Sequence, residues 1–343
     1  MDEISTIGMD TAKSVFQLHG IDAMGDCQLV RRLKRREVLG FFAKQPALTV
    51  ALEACGASHY WGREIAALGH TVKLVPPRFA KRFAEGRRKT DARDAKALAL
   101  AGRSADLRPV PVKSAGRQAE LLVIAARNLL IRQHTQLGNA LRGHLAEFGL
   151  TARLGGKGLE DLLDKVESGQ AALPEAALQA LAALIGQWRG LGADIAKLTA
   201  QLLAQAKGNE TVRRLMAVPG VGPVTASVFA LKIDDPSRFA CGRNCAAWLG
   251  LTPNEASTAG KRHLGAITKA GDGELRSLLV LGAATLLIRA KRSPQSAHPW
   301  VTGIAKRRPF KVAAVALAAR LARTLWALLK HGATYQPRRA ATA

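Results

Sequence analysis

The sequence contains few cysteines for its length. Four cysteines in 343 residues are too few for a disulfide scaffold in a chain of this size. Cys241 and Cys245 have no second pair of ligands at zinc-binding spacing, so buried or unreactive thiols are expected there instead of a metal site. A chain of this length can build two or three domains with hydrophobic cores.

Acidic residues are scarce relative to basic ones. The chain has 26 Asp and Glu against 51 Lys and Arg, which gives a formal net charge of +25. A surplus of this size indicates a polyanionic partner, and we expect that partner to be nucleic acid.

Long apolar runs and targeting signals are lacking as well. The longest apolar run, 278–288, is too short to span a bilayer. The first five residues are acidic and polar, unlike a secretory signal, and no lipid-anchor motif is present. We therefore expect a cytoplasmic, nucleoid-associated protein with no membrane partner.

The first 110 residues have the pattern of a mixed α/β sheet. Short apolar segments separated by turns predict three antiparallel strands at 4–10, 15–19 and 27–30. Helices are predicted at 36–43 and 60–68, and continuous apolar runs at 48–53 and 71–75 predict buried strands.

Four carboxylates occupy chemically suggestive positions in this region. Asp10 and Glu53 end predicted strands, where mixed sheets place ligands. Asp91 and Asp94 share one face of a helix that Thr90 can cap. Taken singly, each acid could be neutralised by neighbouring Lys and Arg or serve only in a turn or helix start. Together they predict a site for a divalent cation, with Mg²⁺ as the default and Mn²⁺ possible.

The middle of the chain is predicted to be helical. The segment 114–148 has no proline and carries apolar residues at helical spacing, and a glycine-rich break follows at 155–158. After Pro174, heptad-spaced apolar residues predict a coiled coil; they are Leu181, Trp188, Ile195 and Leu202. The pattern fits either a helical hairpin within one chain or pairing between protomers.

The last third combines a glycine turn with a polar loop. Residues 218–223 lie between helical segments and could dock a phosphate at a helix N-terminus through Gly220 and Gly222, or form a plain turn. After a predicted helix at 239–251, the loop 252–262 carries Ser257 and Thr258 beside basic residues. A hydroxyl there could attack a phosphodiester if it were activated, although such a loop can also be only a connection. A buried helix is predicted from Leu275.

Several motifs occur in a fixed order along nearly the whole chain. They are 8–13 (Gly-Met-Asp-Thr-Ala-Lys), 52–56 (Leu-Glu-Ala-Cys-Gly), 89–95 (Lys-Thr-Asp-Ala-Arg-Asp-Ala), 219–223 (Pro-Gly-Val-Gly-Pro), 248–253 (Trp-Leu-Gly-Leu-Thr-Pro), 257–261, 267–272 and the tail from Lys306. In this order and spacing the chain resembles the DEDD transposases of bacterial insertion sequences, whose members are guided by a structured non-coding bridge RNA.

The resemblance implies an α/β RNase H/RuvC-like N-terminal domain (1–110), a mostly α-helical coiled-coil insert (111–208) and an α-helical C-terminal transposase domain (209–343). It implies a recombinase that cuts and rejoins double-stranded DNA through a covalent serine–DNA intermediate. Asp10, Glu53, Asp91 and Asp94 would bind Mg²⁺, and Ser257 would be the nucleophile. In similar proteins the serine reaches the metal site of another protomer, which implies a homodimer or homotetramer.

One position departs from the family pattern. The family loop commonly has two glycines after its hydroxyl residues, whereas Ala259 stands at the first of these positions here. Thr258 therefore remains an alternative to Ser257. Two other functions also stay open: a Holliday-junction-type nuclease without a covalent intermediate, and an inactive nucleic-acid-binding relative.

Basic residues and the glycine turn are expected to contact DNA and guide RNA through phosphates. These residues are Arg78, Lys81, Arg82, Arg87, Arg88, Lys89, Gly220, Gly222, Lys261, Arg262, Lys269, Lys306, Arg307 and Arg308.

Overall fold

The computed structural model describes residues 3–84, 90–258, 260–261 and 263–336. The chain forms two compact units, Met1–Ala119 and Glu120–Ala343. The expected division into three domains, with boundaries at 110 and 208, stays a prediction.

The first unit is built around a five-stranded mixed sheet with the strand order β3-β2-β1-β4-β5. Its elements are β1 (Thr6–Asp10), β2 (Val15–Ile21), β3 (Cys27–Lys34), α1 (Val38–Phe42), β4 (Thr49–Glu53), α2 (Ser58–Ala67), β5 (Thr71–Val75), α3 (Pro77–Ala80) and α4 (Asp91–Arg103). Strands β1, β2 and β3 are antiparallel neighbours, whereas β1, β4 and β5 are parallel. The mixed α/β sheet predicted from the sequence is confirmed.

Burial explains why these segments are strands. Ile7, Met9, Val50 and Leu52 are fully buried in one hydrophobic core on one face of the sheet, and Gly8 and Ala51 are buried on the other, as expected for strands covered on both faces. Strand β3 is longer than predicted. Its C-terminal half is basic and mostly exposed, so it lacks the apolar signal from which the strand was predicted, and β3 lies at the edge of the sheet. Charged side chains on an edge strand oppose pairing with other chains.

Small residues let α4 lie directly on the sheet. A Cβ at Gly8 would overlap the Ala95 carbonyl oxygen and the Ala99 backbone nitrogen, and a Cβ at Gly102 would come within 2.5 Å of the Ala51 Cβ. Ala95, Ala99 and Gly102 follow the i, i+4, i+7 spacing of one helix face. The alanine-rich sequence of α4 therefore serves close packing of the helix on β1 and β4.

The second unit begins with a long helical arm. Its helices are α5 (Ala115–Ala146), which starts in the first unit, α6 (Gly156–Glu167) and α7 (Glu175–Gly208). Arg127 Nε donates to Thr199 Oγ1 at 2.7 Å, and His134 stacks on Trp188 with ring centroids 4.6 Å apart. The contact residue in α5 moves from 127 to 134 while its partner in α7 moves from 199 to 188. The two helices are therefore antiparallel.

The heptad stripe of α7 is therefore buried within one chain. Leu181 and Trp188 pack in a core with Leu141 and Leu145 of α5, and Leu202 packs with the C-terminal core. Of the two arrangements left open by the sequence, the structure shows the intrachain hairpin. Pairing between protomers through this stripe is not shown.

Helix α6 was missed by the sequence reasoning. The glycines at 155, 156 and 158 indicated a break, yet α6 begins at Gly156. Its apolar residues Leu159, Leu162, Leu163 and Val166 are buried against the hairpin and follow helical spacing. The break is thus confined to the turn before the helix, where Gly155 has φ +92°.

The remaining elements form a helical core with a small hairpin. They are α8 (Glu210–Met216), α9 (Pro223–Lys232), α10 (Gly242–Trp248), β6 (Pro253–Glu255), β7 (Leu264–Ile267), α11 (Gly273–Arg292), α12 (Pro299–Arg307) and α13 (Phe310–His331). Helix α10 is shorter than the predicted 239–251, since a 3₁₀ turn at Pro236–Arg238 and an extended Cys241 precede it. The segment 252–262, expected to be a loop, contains strand β6.

Helix α13 is the one helix in the described part of the chain that is long and apolar enough to cross a membrane by length and composition. In the sequence the longest apolar run is the shorter segment 278–288, which did not single out α13. Leu317, Leu321, Leu325 and Leu328 of α13 are buried against the other C-terminal helices. Core packing therefore accounts for the apolar composition of α13.

Candidate active site

The end of β1 and the start of α4 bring acidic residues to one edge of the sheet. Gly8 faces Ala95 and Ala99, while Gly102 lies near Thr6, so α4 runs opposite to β1. A strand advances about 3.3 Å per residue and a helix about 1.5 Å. Moving two residues from Gly8 to Asp10 therefore corresponds to moving four or five residues back along α4, to the turn that contains Asp91 and Asp94.

Glu53 belongs to the same edge. Strands β1 and β4 are parallel with Met9 opposite Leu52, so Asp10 and Glu53 end neighbouring strands at the same level. Ala51 contacts α4 at Gly102. Because side chains two residues apart in a strand share a face, Glu53 and Asp10 are on the face that α4 covers.

The first turn of α4 is set by a capping residue. The Arg93 backbone N–H donates to Thr90 Oγ1 at 3.4 Å, as expected for an N-cap. Asp91 is exposed and Asp94 is half-buried. Two acids in the first turn are favoured by the positive end of the helix dipole.

The backbone gathers the four acids, but their side chains do not form an assembled cluster. Within the described ranges, no three His, Cys, Asp or Glu side chains lie together in an arrangement that could hold a metal ion. Asp10 and Asp94 each have an interaction partner in the structure. An all-carboxylate set fits a hard cation such as Mg²⁺ or Mn²⁺ by its donor chemistry, so the metal site stays a prediction that the placement of the backbone supports.

Ser257 lies beyond β6 in a hairpin that projects from the second unit. The turn closes through two backbone hydrogen bonds, from Thr258 N to Lys261 O at 3.2 Å and from Lys261 N to Thr258 O at 2.9 Å. Gly260 supplies the positive φ of +78° that the turn requires. Ala259 and Arg262, which the sequence singled out, lie outside the described residues.

The Ser257 hydroxyl is held between a carboxylate and a backbone N–H. Ser257 Oγ donates to Glu255 Oε1 at 2.7 Å, and the His263 N–H donates to Ser257 Oγ at 3.3 Å. Glu255 was missed by the sequence reasoning. The signal was its position two residues before the serine in an extended segment, where alternate side chains share a face.

The base of the hairpin is anchored on the helical core. Arg276 Nη1 donates to the carbonyls of Leu249 at 2.9 Å and Ala270 at 2.8 Å. A Cβ at Gly271 would overlap the Trp248 carbonyl oxygen, so these backbones are in direct contact. The hairpin thus has a fixed base and an exposed tip.

An ion-pair group fixes the helix that follows the hairpin. Lys232 Nζ lies 2.7 Å from Asp272 Oδ2 and 2.6 Å from Glu274 Oε2, and Asp272 caps α11 by accepting from the Leu275 N–H at 2.8 Å. Burial opposes protonation of Lys232, but its hydrogen bonds to the two carboxylates leave its pKa raised above the ordinary value.

The glycine turn at 218–223 has a packing role in the structure. Gly220 has φ +82° and lies against Gly282 and Leu286 of α11, where a Cβ would clash. Gly222 is exposed at the start of α9. A phosphate contact at this turn stays a prediction, and Gly222 is the accessible member of the pair.

The basic residues predicted to bind nucleic acid are exposed wherever the structure describes them. These are Arg78, Lys81 and Arg82 in the first unit and Lys261, Lys269, Lys306, Arg307 and Arg308 in the second. Arg87, Arg88, Lys89 and Arg262 lie outside the described residues.

Comparison with known protein families gives two matches on this chain. A DEDD transposase model of the IS110 type, described as "Transposase", matches residues 7–149, and a model described as "Transposase IS116/IS110/IS902 family" matches residues 212–299. The first match includes the four acids and the second includes the glycine turn and Ser257.

Individual relatives match over almost the whole chain. A Sinorhizobium fredii protein provisionally named as a transposase is 46% identical over 98% of this chain and 87% of its own length. A Pseudomonas aeruginosa protein provisionally named as a family 20 transposase is 43% identical over 97% of this chain and 99% of its own length. The Coxiella burnetii transposase for insertion sequence element IS1111A is 33% identical over 98% of this chain and 92% of its own length.

Similarity of this extent covers both units and all the candidate residues. The chain therefore belongs to the IS116/IS110/IS902 family of transposases, enzymes that cleave and transfer DNA.

Proposed function

We propose that this transposase cuts and rejoins insertion-element and target DNA through a covalent serine–DNA bond and that a structured non-coding RNA guides it. The observation that carries the proposal is the hydrogen bond from Ser257 Oγ to Glu255. A serine hydroxyl is a weak nucleophile until a neighbouring base removes its proton. The Thr258 contacts that define the turn are made by its backbone, so the geometry favours Ser257.

The proposed step balances without an external energy source. Glu255 accepts the Ser257 hydroxyl proton as Oγ attacks phosphorus, the bond from phosphorus to the 3′ oxygen breaks, and that oxygen takes up a proton. The DNA phosphate is then esterified to Ser257. A 3′-hydroxyl of another strand can attack this ester, which restores a phosphodiester and releases the serine.

The four acids are proposed to hold one or two divalent cations beside the same reaction. Members of the DEDD family are typically metal-dependent. A bound Mg²⁺ or Mn²⁺ would neutralise charge on the scissile phosphate. Asp10 and Glu53 on the strands and Asp91 and Asp94 on α4 would supply the ligands. We propose that the mixed sheet with α4 across it is an RNase H/RuvC-like domain.

The charge and the family support the proposed nucleic-acid partners. The net charge of +25 and the exposed basic residues of both units suit double-stranded DNA and guide RNA. We propose that the enzyme acts in the bacterial cytoplasm, in association with the nucleoid, as a homodimer or homotetramer.

A trapping assay tests the proposal. Full-length protein, its flanking non-coding RNA, end-labelled donor DNA and Mg²⁺ would be incubated and separated on a denaturing gel. We expect a labelled protein–DNA band for the wild type and for Thr258→Ala. Ser257→Ala and Asp10→Ala should both lose it, the first for lack of a nucleophile and the second for lack of a metal ligand.

Other outcomes select the rival functions. Cut DNA without a covalent band, undiminished in Ser257→Ala, would indicate a Holliday-junction-type nuclease. Binding without cutting in the wild type, unchanged in Asp10→Ala, would indicate an inactive nucleic-acid-binding relative. Loss of the band in Thr258→Ala, with the band retained in Ser257→Ala, would identify Thr258 as the nucleophile.

A further inference from the structure

The C-terminal helices enclose a cavity that has no part in the proposed serine chemistry. Its volume is about 410 Å³, and Leu286 of α11, Trp300 of α12, and Leu317 and Leu321 of α13 contribute to its largely apolar wall. It adjoins a groove of about 1230 Å³ that shares Trp300 with it. Cavities that bind small organic groups are commonly about 300–1,000 Å³.

Aromatic rings and guanidinium groups both line this cavity. The Arg320 guanidinium lies over the Trp300 ring, 4.7 Å from its centroid. Arg289 and Tyr335 also line the cavity, and Arg323 lines the groove. None of the described lining residues is acidic. The site therefore combines a mainly apolar wall with several positively charged side chains.

The position of Tyr335 is fixed by the end of α13. Gly332 ends the helix in a left-handed conformation with φ +64°, and Arg214 Nη1 of α8 donates to the Gly332 carbonyl at 2.5 Å. The chain is thereby turned back, so that Tyr335 is half-buried against the C-terminal core. An aromatic tail residue held in this way forms a wall of the cavity.

The cavity also adjoins the glycine turn. Val218 and Pro219, the first residues of the turn, belong to the cavity wall. Exposed backbone at Gly222 is suited to a phosphate. A strand whose phosphates lie at the turn would therefore pass beside the cavity wall.

We propose that this cavity takes an unpaired nucleotide of single-stranded nucleic acid, with the base inside and its phosphates beside Arg289, Arg320 and Arg323. Unstacked bases are held by stacking on aromatic rings and on arginine planes. A base in a duplex is already paired and stacked, so the site discriminates against duplex. The shared ligand chemistry is a nucleobase with flanking phosphates, and its source is either RNA or a DNA strand opened during transposition.

The test uses the full chain and short mixed-sequence single strands that carry 5-iodouracil, one of DNA and one of RNA, beside a DNA duplex of the same sequence. After irradiation, mass spectrometry locates the adducts. We expect adducts on Trp300 or Tyr335 with a single strand and none there with the duplex. Adducts with the RNA strand alone would identify the ligand as RNA, and adducts with the DNA strand alone would identify it as an opened DNA strand. Adducts with both would show that the cavity accepts either kind of single strand.

Binding of the same strands provides the quantitative arm. Tyr335→Ala, outside the helices, should weaken single-strand binding about tenfold, because one stacking ring is lost, and change duplex binding less than about twofold. Arg320→Gln should weaken single-strand binding more than Arg292→Gln does. Arg292 is the matched control, because its substitution removes an equal charge from α11 but Arg292 does not line the cavity. Trp300→Leu, a second cavity variant, should also weaken single-strand binding, because it removes the other stacking ring.

The inference is overturned if the adducts map only elsewhere. It is also overturned if Tyr335→Ala and Arg320→Gln bind single strands as tightly as Arg292→Gln. Because these readouts do not require cleavage, they can be repeated in Ser257→Ala. Failure of the cavity and failure of the serine mechanism are therefore separable.

Discussion

The edge that carries the four acids and the hairpin that carries Ser257 are built in opposite ways. At the acidic edge, two strands with fully buried residues such as Met9 of β1 and Leu52 of β4 support the carboxylates, and α4 lies in backbone contact with Gly8. In the hairpin, β6 is entirely exposed and β7 nearly so. The base of the hairpin is fixed on helices, because Gly271 lies against the Trp248 carbonyl of α10 and Arg276 of α11 binds the carbonyls of Leu249 and Ala270.

The difference has a physical reason. Like charges repel, so acids are held together only by a scaffold that opposes their separation. A nucleophile that attacks a DNA strand must instead be accessible to a large, highly charged substrate. Segments with few buried contacts open at low cost in free energy, whereas packed core segments do not. We therefore expect substitutions in the packed scaffold beneath the acids to change stability, and substitutions around Ser257 in the hairpin to change chemistry at unchanged stability.

The largest expected effect comes from adding a methyl group at Gly8, and Gly265 provides the matched control. Gly8→Ala forces α4 away from β1, and we expect it to lower the free energy of unfolding by about 3 kcal/mol. Gly265→Ala in β7 meets its nearest neighbour at 3.8 Å, so it should be neutral or stabilising by up to about 1 kcal/mol. Urea denaturation of both variants measures the contrast. Equal losses would contradict it.

The second prediction concerns chemistry without a change in stability. Glu255→Gln keeps a hydrogen-bond acceptor for Ser257 but is a much weaker base, so formation of the covalent adduct should slow about a hundredfold. The midpoint of denaturation should stay within experimental error, since Glu255 is exposed. Single-turnover kinetics of adduct formation provide the rate. An unchanged rate would show that another group accepts the proton.

A smaller effect is expected where the hairpin meets α11. Lys232→Met leaves Asp272 and Glu274 without their shared cation, and we expect a loss of about 1–2 kcal/mol because these groups are partly shielded from solvent. Lys197→Met removes an exposed partner of Asp194 at 3.4 Å and should cost less than about 0.5 kcal/mol. Thermal denaturation of the pair measures the difference. Equal shifts would show that the Lys232 group does not fix the base of the hairpin.

The smallest expected effect is a pH dependence in the first unit. Burial, together with the charges of Lys113 and Arg63, lowers the pKa of His59 from 6.5 to about 4. Below pH 6.5 the unfolded chain takes up a proton that the folded chain refuses until about pH 4. Stability contributed by neutral His59 is therefore complete above pH 6.5 and falls as the pH decreases to 4, by no more than about 1 kcal/mol.

His59→Gln tests this dependence. We expect the difference in unfolding free energy between pH 7.5 and pH 5 to be smaller in the variant than in the wild type. Identical differences would exclude His59 as the source. Some dependence should persist in the variant, because burial and the charge of Lys96 also lower the pKa of His19.

The first unit was largely predictable because its signals are local. Alternating apolar segments and turns gave the five strands, and Thr90 marked the start of α4. The arrangement of the acid side chains was not predictable, because register fixes the backbone but not the rotamers. Gly8 shows what the sequence leaves open. A glycine in a strand indicates that another backbone approaches closely, but it does not indicate which segment that is.

The second unit was less predictable because its informative contacts are distant in sequence. An apolar stripe such as that of Leu181 and Trp188 fits an intrachain or an interchain partner equally well. Strand β6 has three residues, too few to show a period, so the pairing of Glu255 with Ser257 was missed. The cavity near Trp300 could not be predicted from the sequence, because its lining residues come from several separate segments between Val218 and Tyr335.

The most direct test of the central claim is to identify the residue that carries the DNA. The covalent species formed with donor DNA would be digested with nuclease and protease, and the nucleotide-bearing peptide sequenced by mass spectrometry. The account predicts a phosphodiester on Ser257. A nucleotide on Thr258, or DNA cleaved in full with no modified peptide, would contradict it.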